Sequence, residues 1–144
     1  MKARELMTSN PECVTQEDSL QRAASIMRDR DIGAVPVVSD TNSRRLVGIV
    51  TDRDIAIRHV AEGRTGSSKV GDVMSSGRIA TAREDDSVDR VMELIKEHKV
   101  RRIPVVGNND EIVGMIAQAD LALEARNEKK VERTVEKISE PGRK

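Results

Sequence analysis

Two aspartates, a threonine and a pair of adjacent arginines are the side chains whose type and spacing point to chemistry. Asp54 and Asp120 each follow an apolar run, at the start of an expected helix. A carboxylate there can accept two hydroxyl protons at once. It is equally the ordinary choice for a first helical turn, where the dipole favours negative charge. Thr51 stands three residues before Asp54, at a strand-to-helix turn. Its hydroxyl and nearby free N–H groups would suit a phosphate. Arg53, between them, either assists or faces solvent. Arg101 and Arg102 precede a β-branched run, an odd position for packing but a good one for a planar fork that binds phosphate oxygens. The other reading is a solvated pair bridging to acidic neighbours.

Catalytic and metal-binding patterns are not legible. His59 and His98 lack Cys or carboxylate partners at ligand spacing and read as helix-surface residues. Cys13 is the one cysteine, so no intramolecular disulfide forms, and it reads as a small residue near a strand start. No catalytic triad or phosphate-binding glycine loop can be assembled. The expectation is a binder and not an enzyme.

The 144 residues contain no Phe, Tyr or Trp, so the core must be built from Val, Ile, Leu, Met and Ala. Aromatic stacking platforms for single-stranded nucleic acid are thereby excluded. Lys plus Arg and Asp plus Glu are 25 each, leaving no surplus charge for a phosphate backbone, and nucleic acid is not an expected partner. No apolar run is long enough to cross a membrane and no signal-peptide core opens the chain, so a cytoplasmic protein is expected.

The elements that position these residues come as a repeat. The run from Ile32 to Val38 returns from Val100 to Val106, with Pro36 and Pro104 placed 68 positions apart. Glu5, Leu6 and Met7 match Asp72, Val73 and Met74, and Leu46 to Val50 matches Ile112 to Ile116. Helical spacing of Leu20, Ala23, Ala24, Met27 and Ile32 predicts a helix capped by Asp18 or Ser19 and closed by Gly33. Val88, Val91, Met92 and Ile95 predict its counterpart. Each is followed by a hairpin of two apolar strands. A brief leading strand is expected at Val14 and Thr15, and at Ala80 and Thr81. The unit is β-α-β-β-α, an α+β class, and each copy is too small to be stable alone. The expected division is 1–62 for the first repeat, 63–69 for a linker, 70–125 for the second, and 126–144 for a charged terminal helix with a tail that frays after Ser139. Val131, Val135 and Ile138 would form that helix's apolar stripe.

Tandem units with two strand prolines, each followed by a G-h-h-T-x-x-D pattern (h, apolar), resemble the cystathionine-β-synthase (CBS) domain pair, the Bateman module, of the stand-alone bacterial and archaeal type. The first copy carries the full pattern from Gly48 to Asp54; the second, from Gly114 to Asp120, has Ala117 in place of the threonine. The resemblance implies two repeats packed sheet to sheet with pseudo-twofold symmetry and two clefts for AMP, ADP, ATP, NAD or S-adenosylmethionine. It also implies a homodimer that regulates a partner protein. It assigns ribose to Asp54 and Asp120, and the adenine edge to the segments at Thr15 and Thr81. The apolar wall falls to Val35, Pro36, Ile103 and Pro104. Arg101 and Arg102 would reach the phosphate of the nucleotide held by Asp120, with Gly33 and Ala34 as their counterparts, and would also be close enough to neutralise one in the first cleft. The competing expectation is an interaction homodimer whose clefts are vestigial.

Overall fold

The computed structural model describes residues 1–64, 67–77 and 79–139, with side chains as far as residue 129. Thr65 and Gly66 of the expected linker lie outside the described residues. So do the tail beyond Ser139 and the side chains of the Val131, Val135 and Ile138 stripe.

The first half contains β2 (Val14–Thr15), α2 (Leu20–Arg30), β3 (Ala34–Val38), β4 (Leu46–Thr51) and α3 (Asp52–Ile55). It is preceded by α1 (Ala3–Leu6) and β1 (Thr8–Ser9). The second half repeats the order as β5 (Ala82–Arg83), α4 (Val88–His98), β6 (Arg102–Val106), β7 (Ile112–Ala117) and α5 (Gln118–Ser139). Helix α3 continues through Ala56–Val60 with wider, π-type turns. Helix α5 runs on without interruption into the charged region.

In both halves the leading strand pairs parallel with the proline strand, which pairs antiparallel with the next. Both hairpins carry a register shift at the same place, between Val37 and Val38 and between Val105 and Val106. The β-branched runs predicted as buried strands are buried: Val35, Val37, Val50, Ile103, Val105 and Ile116 are all fully covered. Ser19 and Ser87 cap α2 and α4, each accepting from the backbone N–H three residues on. Apolar faces of these helices (Leu20, Ala23, Ile26 and Met27; Val91, Leu94 and Ile95) close one core per half.

Three local expectations need correction. The second leading strand is Ala82–Arg83, not Ala80 and Thr81, because it pairs with Val105 and Val106 just as Val14 and Thr15 pair with Val37 and Val38. Gly33 does not close α2. Asp31 does, at φ 54°, with the Ile32 N–H bonded back to the Met27 carbonyl at 3.0 Å. Ile32 therefore lies past the helix and is exposed.

The segments leading each half are exchanged between the halves, an arrangement the repeat does not predict. Strand β1 pairs with β7, and Ala3 joins the core of the second half. Reciprocally, Val70 and Val73 join the first core, and Ser75 exchanges two backbone hydrogen bonds with Ile49, at 2.9 and 3.1 Å. Met7 lies over Gly114 and Met74 over Gly48. A Cβ at Gly48 would stand 2.9 Å from both Met74 Sδ and the Ser75 carbonyl oxygen. The side chain could turn away, but the backbone could not.

Two stability outcomes follow. Gly48→Ala should lower unfolding stability in urea by about 1–3 kcal/mol, since the crossing strand must shift; an unchanged midpoint would contradict the close approach. Asp31→Gly should raise stability by about 1 kcal/mol, because glycine occupies the left-handed cap without the Cβ penalty.

Candidate functional site

Two cavities lie where the halves meet. The first, of about 740 Å³, is bordered by Ile49, the turn from Thr51 to Asp54, Ser75, Ser76, Ile79, Ala80 and the segment from Lys99 to Arg102 with Pro104. The second, of about 960 Å³, is bordered by residues 8–13, 30–34, Pro36, Arg44, Arg102, the run from Met115 to Ala117, and Asp120. Both have the volume of a small-molecule site.

The turn from β4 to α3 explains the position of Asp54. Thr51 is the N-cap; its Oγ1 accepts from Asp54 N at 3.0 Å, while Asp54 Oδ2 accepts from Thr51 N at 3.1 Å. This reciprocal box holds the aspartate at the cleft wall with its side chain only 13% exposed. Oδ1 has long contacts, with Ser75 Oγ at 3.4 Å and Arg58 Nε at 3.9 Å. In the second half Asp120 Oδ2 accepts from Ala117 N at 3.2 Å, and alanine returns nothing. The second turn has half the box.

The free N–H groups expected beside Thr51 are all engaged. Asp52 N donates to the Gly33 carbonyl at 2.9 Å, Arg53 N to Asp52 Oδ1 at 2.8 Å, and Asp54 N to Thr51. An anion entering beside this turn therefore meets side chains and not bare turn amides. Arg53, Lys99, Arg101 and Arg102 border it, against Asp52 and Asp54. Among the described residues, Arg53, Lys99 and Arg101 have no carboxylate within 4.0 Å.

This placement corrects the assignment of the arginine pair. Arg101 borders the cleft of Thr51 and Asp54, not that of Asp120, and Arg102 borders both. The reason is the crossing of the halves: the start of β6 faces the β4–α3 turn of the other half. Ala34 and Pro36 border the second cleft and Pro104 the first, whereas Val35 and Ile103 are wholly buried in the cores. Thr15 and Thr81 border neither; the residues that do precede the leading strands, Pro11 to Cys13 in one cleft and Ile79 and Ala80 in the other. The strand position alone does not account for this: in the first half it is Val14–Thr15 as expected, and Thr15 still borders neither cleft.

His59 is half-buried with Nδ1 covered and unbonded among the described residues, and it borders neither cleft. Burial pushes the Cys13 thiol above its usual range, and Sγ donates to the Pro11 carbonyl at 3.3 Å. That thiol is a weak nucleophile. Among the described residues no three His, Cys, Asp or Glu side chains gather as a metal site, and no helix is long and apolar enough to cross a membrane.

Comparison with known proteins agrees with this architecture. The chain is 37% identical over 139 residues to the uncharacterized protein YlbB of Bacillus subtilis, covering 96% of this chain and 92% of that one. The crystal structure of Hypoxic Response Protein I with two coordinated zinc ions superposes with a TM-score of 0.75 at 34% identity, over 85% of this chain and 97% of the other. CBSX2 in complex with AMP gives 0.75 at 25% identity, over 89% and 98%. The CBS domain pair of MJ0100, in complex with 5′-methylthioadenosine and S-adenosyl-L-methionine, gives 0.79 at 25%, again over 89% and 98%. The CBS domain family matches residues 3–59 and again residues 70–126, and the chain belongs to it as a tandem CBS pair.

Proposed function

We propose that this chain is a non-catalytic regulatory module that binds an adenosine nucleotide between its two CBS repeats. The observation that carries this reading is the charge of the first cleft. Four cations gather around Thr51 and Asp54 in a chain whose net charge is zero. A phosphate chain fits that arrangement, since arginine forks bind its oxygens in pairs. Asp54 Oδ1 is placed to accept ribose hydroxyls, and the Thr51 hydroxyl, already accepting from Asp54 N, keeps its proton to donate to a phosphate. Ile49 and Pro104 offer the base an apolar wall, with Ile79 and Ala80 bordering the same space. Ala34, Pro36 and Asp120 play the matching parts in the second cleft. The AMP complex of CBSX2 and the methylthioadenosine and S-adenosyl-L-methionine complex of MJ0100 support the adenosine class.

Regulation requires a ligand that binds two states of the module unequally and a protein that senses the difference. A homodimer in the cytoplasm is part of the reading. Ile57 and Leu123, each three residues beyond the helix-opening aspartate of its half, are exposed apolar side chains at matching places, and Val60 lies exposed three residues past Ile57. Such residues suit a face that meets a second copy.

Thermal melting with AMP, ADP, ATP, NAD and S-adenosylmethionine tests the ligand class. A ligand at 100 times its Kd should add about 2.7 kcal/mol of stability, and Asp54→Ala should weaken ATP binding about tenfold or more by removing a charged acceptor. No shift with any of them at millimolar concentration would leave the interaction homodimer with vestigial clefts. For the dimer, sedimentation should give twice the chain mass, falling to the monomer in Val60→Asp with Leu123→Asp; a monomeric wild type would remove the dimer from the reading.

A further inference from the structure

The two clefts share one side chain. Arg102 opens β6 in the second half, yet it borders both cavities. Its guanidinium lies against Gly33 of the first half, and Nη1 stands 4.0 Å from Asp52 Oδ1. Gly33 leaves that path open. A Cβ there would stand 2.7 Å from Arg102 Cζ and 2.7 Å from Asp52 Oδ2, so any side chain would push the guanidinium aside. By repeat position Gly33 is the counterpart of Arg101. The two halves thus differ where one must yield space and the other must cross.

The clefts do not depend on Arg102 equally. In the second, Arg30 Nε donates to Glu12 Oε2 at 3.1 Å and Arg44 Nη2 to the Pro11 carbonyl at 3.0 Å. Glu12, Asp31 and Asp120 add negative charge around the same space. Of the cations bordering the second cleft, Arg102 is the one whose ion-pair partner lies across in the first. The first cleft has Arg53, Lys99 and Arg101 besides.

We infer that Arg102 couples the two clefts, so that a phosphate-bearing nucleotide in one weakens the binding of a second in the other. The inference rests on the reading that both clefts take adenosine nucleotides. A phosphate in the first cleft draws the guanidinium towards Asp52 and Arg101 and leaves the second cleft with an acidic balance. Two phosphate groups approaching one guanidinium from opposite sides also repel each other, at a place only partly screened by solvent. A nucleoside without phosphate makes no claim on Arg102 and is indifferent to the neighbouring site.

Two unequal independent sites also give two binding constants, so the test isolates each site first. Asp120→Ala disables the second cleft and Asp54→Ala the first, and calorimetric titration with ATP then gives each single-site Kd. Coupling predicts that the weaker step in the unmodified protein exceeds the weaker single-site Kd by at least about fivefold. Arg102→Met should bring the two into agreement. Gly33→Ala should do the same while keeping the arginine and both aspartates. Adenosine should show no discrepancy in any variant. A weaker step equal to or tighter than the single-site value overturns the inference, as does a discrepancy that survives Arg102→Met. If ATP binds neither cleft of the unmodified protein, the nucleotide reading falls and this inference with it; ATP binding without coupling removes this inference alone.

Discussion

The reciprocal crossing of the leading segments is the constraint on which the rest of this structure depends. Each half carries a three-strand sheet whose outer hairpin strand has an unpaired edge, and a lone edge of this kind is unstable in water. Residues 8–9 cover the edge of β7, and Ser75 covers that of β4. The glycines at 48 and 114 make the approach possible, because each lies under a methionine of the crossing segment. With both edges exchanged, neither half can be removed without exposing the other. Backbone bonds outside the sheets repeat the pattern, Ala3 N to the Asp86 carbonyl and Val70 N to that of Asp18. The clefts are a consequence: they are the spaces left between two sheets tied at both ends.

The tie also explains why the clefts mix residues from both halves. The β4–α3 turn supplies Thr51 and Asp54, while Arg101 and Pro104 arrive from the second half. A sequence repeat invites the assumption that each copy furnishes its own site. The exchange breaks that assumption, and with it the pairing of Arg101 with Asp120.

Much of the fold was legible because the signals were local and repeated. Serine caps at 19 and 87, β-branched runs around two prolines, and a shared G-h-h-T-x-x-D pattern each specify a short element, and in-register repetition made them mutually supporting. Failures came where a three-dimensional neighbour decided the outcome. Asp31 takes a left-handed conformation that glycine would hold more easily, and the neighbouring Gly33 is the more usual terminator by type; it serves the space needed by Arg102 instead. Thr81 shares its type with Thr15, but ladder pairing puts Arg83 in that place. The buried Val35 and Ile103 were legible as core but not as separate from the cleft wall, since alternation along a fully buried strand leaves no polar face to mark the difference.

The residue best placed to transmit occupancy is Ser75. It lies on the crossing segment, is fixed to Ile49 by two backbone bonds, and contacts both oxygens of Asp54 at 3.4 Å. These contacts are long, so under the proposed reading a ribose hydroxyl bonding Asp54 at ordinary distance would compete with Ser75. The backbone bonds to Ile49 then carry any displacement of Ser75 into the segment that contributes Val70 and Val73 to the first core. A ligand acting on Asp54 would therefore act on the tie between the halves and not on one half alone. Both cores are close-packed from aliphatic side chains, without aromatic rings to absorb a shift, and such interiors answer strain by moving as units. Under the proposed nucleotide reading, occupancy of the first cleft would thus bear on the segment that ties the two halves together.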